Sequence, residues 1–381
     1  MAIGKTPNRL GASKKGYGVV PKELNLPMIE TDQIFIASSR LAESSGLRVA
    51  ALDELSRIGR SPAYDAWYNG GTLQLQPFAI PKDICINILD DLLLVRKGFL
   101  CGKINFVHRS VMLTDGVWVD SKARVFPFSD ESAAIFKYCN KRHLNVWADI
   151  VVDLATGSGH NLAFFSDDVP GIGLDVNPRA LAYFHLNRLI NGAERRVCIL
   201  NDIRSGICNA VEVAENRKIL IVGNLPFGLA PSRDALPLTS NGGERGVEMQ
   251  RAAFSAIEQF RLTKRGICPI RAVLLAYSVG NAAEDQWEVV DIARSVFGGS
   301  DVRFSVLDDE GLLRVNGRRI MRNPSSLRSA LLASGTCELY HADTAKAQAL
   351  YSGLSDRLAA RGFTDLAYLI VEIDGGHADK G

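Results

Sequence analysis

From residue 150 onward the chain repeats one unit: an apolar run, a polar or glycine-rich turn, then a helical stripe. The apolar runs are Ile150–Leu154, Gly171–Asp175, Val197–Leu200, Ile219–Gly223 and Ala272–Val279, each of strand length. A run that is apolar at consecutive positions is buried on both faces, as in a parallel strand covered by helices on each side. Strands of this kind alternating with helices predict an α/β fold with a doubly wound, mostly parallel sheet.

The clearest helix is Pro178–Asn191. Asn177 is placed to cap it, Pro178 takes its first position, Ala182, Leu186 and Leu189 form its apolar stripe, and Gly192 ends it. Val247–Leu262 reads as a second amphipathic helix, with Ala253, Ile257 and Phe260 on one face. Further on, Val302–Leu307 and Leu312–Met321 read as strands, the latter folding at Asn316-Gly317, and Leu366–Ile373 is another β-rich run.

The segment ahead of the sheet has a different texture. Helical patterns begin at Asp32 and Val49, Pro81–Lys97 reads as a helix, and Lys103–Val107 with Val111–Val119 reads as a hairpin turning at Asp115-Gly116. Tyr64, Trp67, Tyr68, Gly70 and Gly71 fit a small core better than a substrate entrance. Arg124 to Ser132 leads into a helical stretch, where Ser129 or Asp130 is a cap and Glu131 suits the first turn. The expected organisation is a basic arm at 1–24, an α+β substrate-recognition domain at 25–125, the sheet domain with a C-terminal elaboration at 126–373, and a tail at 374–381.

Composition narrows the partners. Forty-four basic against 42 acidic residues leave a formal charge of +2, so no global field favours nucleic acid, a membrane or an acidic substrate. The seven cysteines are scattered without a Cys-x-x-Cys pair, which fits a reducing compartment and neither a zinc knuckle nor a disulfide framework. No apolar run reaches membrane-spanning length and the first residues lack a signal core, so the expected location is the cytoplasm.

Chemistry-bearing residues gather at the carboxyl ends of the expected strands. After the first comes Asp153-Leu-Ala-Thr156-Gly157-Ser158-Gly159-His160, a turn whose glycines let backbone approach a ligand and whose following helix start offers donors to an anion. The third glycine of a dinucleotide fingerprint is absent, because Leu162 stands in its place. Asp175-Val176 ends the second strand, where a carboxylate can accept both ribose hydroxyls, and Asn201-Asp202-Ile203 ends the third, facing an adenine edge. Taken singly, Asp175 reads equally as a helix cap and Asp202 as a turn residue. The fourth run delivers Asn224-Leu225-Pro226-Phe227, an amide beside a stiffened turn and an aromatic ring.

Jointly, Asp153, Thr156, Gly157, Ser158, Gly159, Asp175, Val176, Asp202, Ile203 and Asn224 resemble the S-adenosylmethionine site of the Rossmann-like (class I) methyltransferases. Asn224-Leu225-Pro226-Phe227 resembles the Asn-[Pro/Leu/Ile]-Pro-[Tyr/Phe] motif of those that methylate planar amino groups, either adenine N6 or the amide nitrogen of glutamine. Asn241-Gly-Gly-Glu-Arg-Gly-Val-Glu248 is similar to the Gly-Gly-x-x-Gly segment of protein-glutamine N5-methyltransferases. The resemblance spans about 124–280 and implies S-adenosylmethionine as cofactor, with Asn224, Leu225, Pro226 and Phe227 as the catalytic clamp.

The acceptor it implies is a planar amide or amino nitrogen of a protein side chain or a small molecule. Leu225, in place of the usual first proline, keeps adenine in RNA or DNA as the alternative, and the cluster Arg314, Arg318, Arg319, Arg322 and Arg328 suits phosphates as well as a solvated face. A nicotinamide-dependent oxidoreductase shares the fold and the ribose carboxylate, with the missing third glycine against it.

Overall fold

The computed structural model describes residues 95–96, 99–100, 102–107, 110–115, 124–126, 130–208, 210–211, 215–232, 235–307, 314–315, 318–319, 323–335 and 344–374. The expected basic arm, the helices from Asp32 and Val49, the Tyr64–Tyr68 region and the tail lie outside the described residues.

In chain order the principal elements are α1 (Asp130–Lys141), β1 (Ile150–Leu154), β2 (Gly171–Asp175), α2 (Pro178–Asn191), β3 (Arg196–Leu200), β4 (Ile219–Asn224), α3 (Glu248–Thr263), β5 (Ile270–Asn281), α4 (Glu288–Phe297), β6 (Val302–Val306), α5 (Leu327–Gly335), α6 (Thr344–Ala359) and β7 (Asp365–Asp374). The sheet runs β3-β2-β1-β4-β5-β7-β6, with two-residue strands added beside β5 and β7. β1 pairs in parallel with β2 and β4, β2 with β3, and β4 with β5. β7 alone among the seven runs the other way, antiparallel to both β5 and β6. The expected doubly wound, mostly parallel α/β sheet is what the chain forms.

Alternation along the strands sorts the core into two layers. Val152, Ile221, Leu274 and Leu369 face α3 and α4, where Phe254, Phe260 and Val289 are fully buried. Val151, Leu220, Val273 and Ile370 face the opposite side, packing with Ile135 of α1 and Phe184 of α2. On α3 the buried positions Ala253, Phe254, Ile257 and Phe260 recur at helical spacing, so one stripe docks on the sheet while Arg251 and Glu258 point outward or sideways. Strand order reverses at β1 and β4, and the loops leaving their carboxyl ends diverge there to open a crevice.

Two local expectations are corrected. The hairpin pairs Gly102–Val107 with Ser110–Asp115 in a register that sets Val107 opposite Ser110, so the chain reverses between those residues and not at Asp115-Gly116. Asp115 is instead buried and bonded to side chains far along the chain, a role that a local turn motif cannot reveal. The described residues of the expected helix Pro81–Lys97 are extended, since Val95–Arg96 pairs antiparallel with Phe99–Leu100, where β-branched Val95 and aromatic Phe99 suit a strand pair; the rest of that expected helix lies outside the described residues. Within the expected strands of Leu312–Met321, Arg314–Val315 pairs antiparallel with Arg318–Arg319; the expected turn at Asn316-Gly317 lies outside the described residues.

Candidate active site

A cavity of about 380 Å³ opens at the carboxyl ends of β1, β2 and β4. Its walls include the turn after β1 (Thr156, Gly157, Ser158), the end of β2 (Asp175, Val176) and Asn224 to Phe227 after β4. Asp202 and Ile203, beyond β3, close the same side.

The turn after β1 reverses sharply because Ala155, Gly157 and Gly159 all adopt positive φ (52°, 56° and 92°). Its glycines do different jobs. A side chain at Gly157 would meet nothing within 4 Å, so this position faces open space in the cavity. At Gly159, which is not part of the wall, a Cβ would sit 2.9 Å from the Phe184 ring. That glycine serves the packing of the turn on α2. The stretch that follows is a single 3-10 turn, Leu162–Phe164, not the expected helix start. The polar and proline-bearing run Ser166-Asp-Asp-Val-Pro170 stops helical continuation.

Asp153 is likewise set back from the cavity, fully buried beneath the turn. Its carboxylate accepts from Thr156 Oγ1 at 2.6 Å and Asn161 Nδ2 at 2.8 Å, bracing the loop from below. Burial pushes its pKa up to about 7, against the two hydrogen bonds that favour the anion. Because the folded protein holds this proton more tightly than the unfolded chain, the contribution to stability is full below the ordinary carboxylate range and is lost as pH rises toward 7. Asp153→Asn is therefore expected to flatten the stability profile between about pH 4 and 7, removing a slope of up to about 1.4 kcal/mol per pH unit. Denaturant titrations of both proteins across that range measure it; equal slopes would contradict this account.

Asp175 stands half-buried in the wall. Oδ2 accepts the Gly157 N–H and Oδ1 the Asn177 N–H, both at 2.8 Å, so one carboxylate joins the glycine turn to the start of α2. Burial raises its pKa while these N–H groups oppose the shift. The Val176 N–H is a third backbone donor to the same carboxylate, which leaves it room to accept from one hydroxyl more. Asn177 caps α2 as expected, its Oδ1 accepting from Arg179 N at 3.1 Å.

Asp202 is engaged locally. It caps the short turn Ile203–Ser205 and forms a two-pronged ion pair with Arg204, with contacts of 2.6 to 3.0 Å that hold its pKa down.

At the end of β4, Leu225 is buried in the core, whereas Asn224, Pro226 and Phe227 are partly exposed to the cavity. The Phe227 ring stands edge-on to Tyr277 (6.1 Å between centroids) and Tyr368 (5.6 Å), and those two stack on each other at 4.2 Å. Both tyrosines reach the cavity wall and sequence reasoning missed them. Each is the one aromatic residue of its strand, but only the antiparallel register of β7 sets Tyr368 opposite Tyr277. Leu331 and Ser334 of α5 and Tyr351 of α6 complete this end.

The Gly-Gly segment lies against the back of the clamp. Gly228 donates to Ser240 O at 2.7 Å, Gly242 donates to Gly228 O at 2.9 Å, and Ala230 donates to Gly243 O at 2.9 Å. A Cβ on Gly242 would sit 2.6 Å from Phe227 Cα, and one on Gly246 2.5 Å from Phe227 O. These glycines permit backbone to touch backbone. The side chains of Asp130 and Glu131 lie outside the described residues.

No family model matches the chain, and no curated protein matches it. Solved structures similar to it include the SAM-dependent methyltransferase from Agrobacterium tumefaciens, at 11% identity and TM-score 0.38 over 72% of this chain and 71% of that one. A phosphoethanolamine N-methyltransferase from Haemonchus contortus, in complex with S-adenosylhomocysteine, matches at 12% identity and TM-score 0.31 over 76% of this chain and 73% of that one. Trm5b from Pyrococcus abyssi matches at 16% identity and TM-score 0.33 over 72% of this chain, which spans 56% of that protein. The geometry of the cavity, not these likenesses, carries the functional conclusion. Among the described residues no helix is long and apolar enough to cross a membrane.

Proposed function

We propose that the chain is an S-adenosylmethionine-dependent N-methyltransferase acting on a planar amide or amino nitrogen of a protein side chain or small molecule. The observation that carries this reading is one cavity walled at one end by Gly157 and Asp175 and at the other by Asn224, Pro226 and Phe227. The open space beside Gly157 fits a ligand lying against backbone, and the Asp175 carboxylate fits a ribose hydroxyl. When bound, the cofactor supplies an electrophilic methyl group on a sulfonium.

The residues of the chain then have positioning and electrostatic work. Asn224 Oδ1 and the Leu225 carbonyl accept the two N–H hydrogens of the acceptor, which turns the nitrogen lone pair out of conjugation. Phe227, held edge-on by two tyrosines, offers a fixed surface to a flat group. The methyl would pass to the nitrogen from a cofactor held beside Gly157 and Asp175, with the thioether as leaving group, and the methylated nitrogen would then lose its extra proton to water. No general base is required, so orientation carries the rate.

Calorimetry with S-adenosylhomocysteine and with NAD tests the reading; binding of NAD alone would sink it. Labelled-methyl transfer to the protein, nucleic-acid and small-molecule pools of a cell extract then sorts acceptors. A nucleobase amine is the second reading, supported in the sequence by Leu225 and by the cluster Arg314, Arg318, Arg319, Arg322 and Arg328. Transfer to nucleic acid that falls steeply with salt would select it.

The two turn glycines separate binding from folding. Gly157→Ala is expected to weaken S-adenosylhomocysteine binding about tenfold, since the methyl projects into the ligand space, with a stability loss of only about 1 kcal/mol. Gly159→Ala, pressed on Phe184, is expected to cost more stability than affinity. Melting curves and calorimetry on both variants would expose a reversed order.

A further inference from the structure

The hairpin ahead of the sheet has no part in the chemistry above, yet its second strand, Ser110–Asp115, is bonded to several pieces of the cavity wall. Asp115 is 1% exposed. Its Oδ2 accepts from Arg179 Nε at 2.8 Å and from the backbone N–H of Val125 at 2.8 Å, while Oδ1 accepts from the Tyr183 hydroxyl at 2.9 Å and from Arg179 Nη2. Arg179 and Tyr183 belong to α2, whose first turn follows Asp175. Val125 and Phe126 are themselves part of the cavity wall.

Two residues earlier, the Leu113 N–H donates to Asn187 Oδ1 at 2.7 Å, and Asn187 Nδ2 donates to Leu113 O and to Ser158 O, each at 3.0 Å. One short strand thus touches the glycine turn through Asn187, α2 through Arg179 and Tyr183, and the Val125–Phe126 segment directly. Asp115 thus joins α2 and that segment on a single side chain. A carboxylate held by a guanidinium in fixed geometry is a stiff anchor, and its bond to Val125 N ties the segment to the same frame.

We propose that Asp115 is a positioning residue that holds Val125–Phe126 against the cavity, so that the Phe126 ring forms a wall of the cofactor subsite. This rests on the reading that S-adenosylmethionine occupies that cavity. It gives the hairpin a role in ligand binding through α2 and the Val125–Phe126 segment, without direct contact with the reacting atoms.

A double-mutant cycle on S-adenosylhomocysteine affinity tests it, with folding followed by circular dichroism. Phe126→Ala and Asp115→Asn are each expected to weaken binding about tenfold, and the double variant to lose little more than either alone, because the anchor acts through the ring. Asp115→Asn keeps the shape of the side chain but turns one acceptor into a donor. Val125→Pro removes the anchored N–H while leaving Asp115 with Arg179 and Tyr183, and replaces Asp115→Asn in the cycle if that variant does not fold. Additive losses, approaching about a hundredfold in the double variant, would overturn the anchoring role while leaving the cofactor reading intact. Unchanged affinity in Phe126→Ala would overturn it as well. Absence of S-adenosylhomocysteine binding by the unsubstituted protein would instead overturn the cofactor reading beneath it.

Discussion

Asn224→Ala is expected to lower methyl transfer by about a hundred- to a thousandfold while S-adenosylhomocysteine affinity stays within about threefold. The side-chain amide sits where β4 opens into the cavity, immediately ahead of the buried Leu225 and the partly exposed Pro226 and Phe227. Its proposed task is to accept an N–H from a nitrogen whose lone pair must leave conjugation, an interaction that strengthens as the nitrogen pyramidalises. Removing it raises the barrier without touching the turn after β1 or Asp175. The rate should fall in kcat at least as much as in kcat/KM. Comparable activity in the variant, or parallel loss of cofactor affinity, would remove Asn224 from the acceptor clamp.

Gly242→Ala is the second large effect, and its cause is steric. The added methyl would lie 2.6 Å from Phe227 Cα, 2.8 Å from the Phe227 carbonyl carbon and 2.9 Å from Gly246 Cα. All three are backbone atoms, so relief requires the clamp itself to move. The expectation is a loss of transfer of at least about a hundredfold, because a displacement near 1 Å at reacting groups carries that penalty, with destabilisation of about 1–3 kcal/mol. Cofactor affinity should persist, since Gly157 and Asp175 lie in another part of the wall. Gly299→Ala, where a Cβ meets nothing within 4 Å, is the matched control and should leave transfer unchanged. Full activity in Gly242→Ala would show that the clamp tolerates displacement.

The same glycine shows what kind of information the sequence holds. Asn241-Gly-Gly-Glu-Arg-Gly stands out by resemblance, but nothing in it says that Gly242 and Gly246 press on Phe227. The glycines after β1 read as one motif in the sequence and divide in the structure, Gly157 toward open space and Gly159 toward Phe184. Asp153 enters the cofactor set by resemblance, whereas its carboxylate turns inward to Thr156 and Asn161. In each case the residue's position along the chain is legible, while the direction of its side chain depends on partners far away.

By itself the sequence determined the strand–helix alternation, the cap at Asn177, and the arrival of Asp175, Asp202 and Asn224 at carboxyl ends of strands. These follow from local preference and from periodicity within a dozen residues, which act before any tertiary contact exists. Tertiary structure alone decided that β7 runs antiparallel beside β5, which stacks Tyr368 on Tyr277 and braces Phe227. It also decided that Asp115 joins a hairpin to α2 and to Val125. Strand direction and long-range pairing are set by the burial of whole faces and by the satisfaction of buried polar groups, and those quantities are defined only once distant segments share one core.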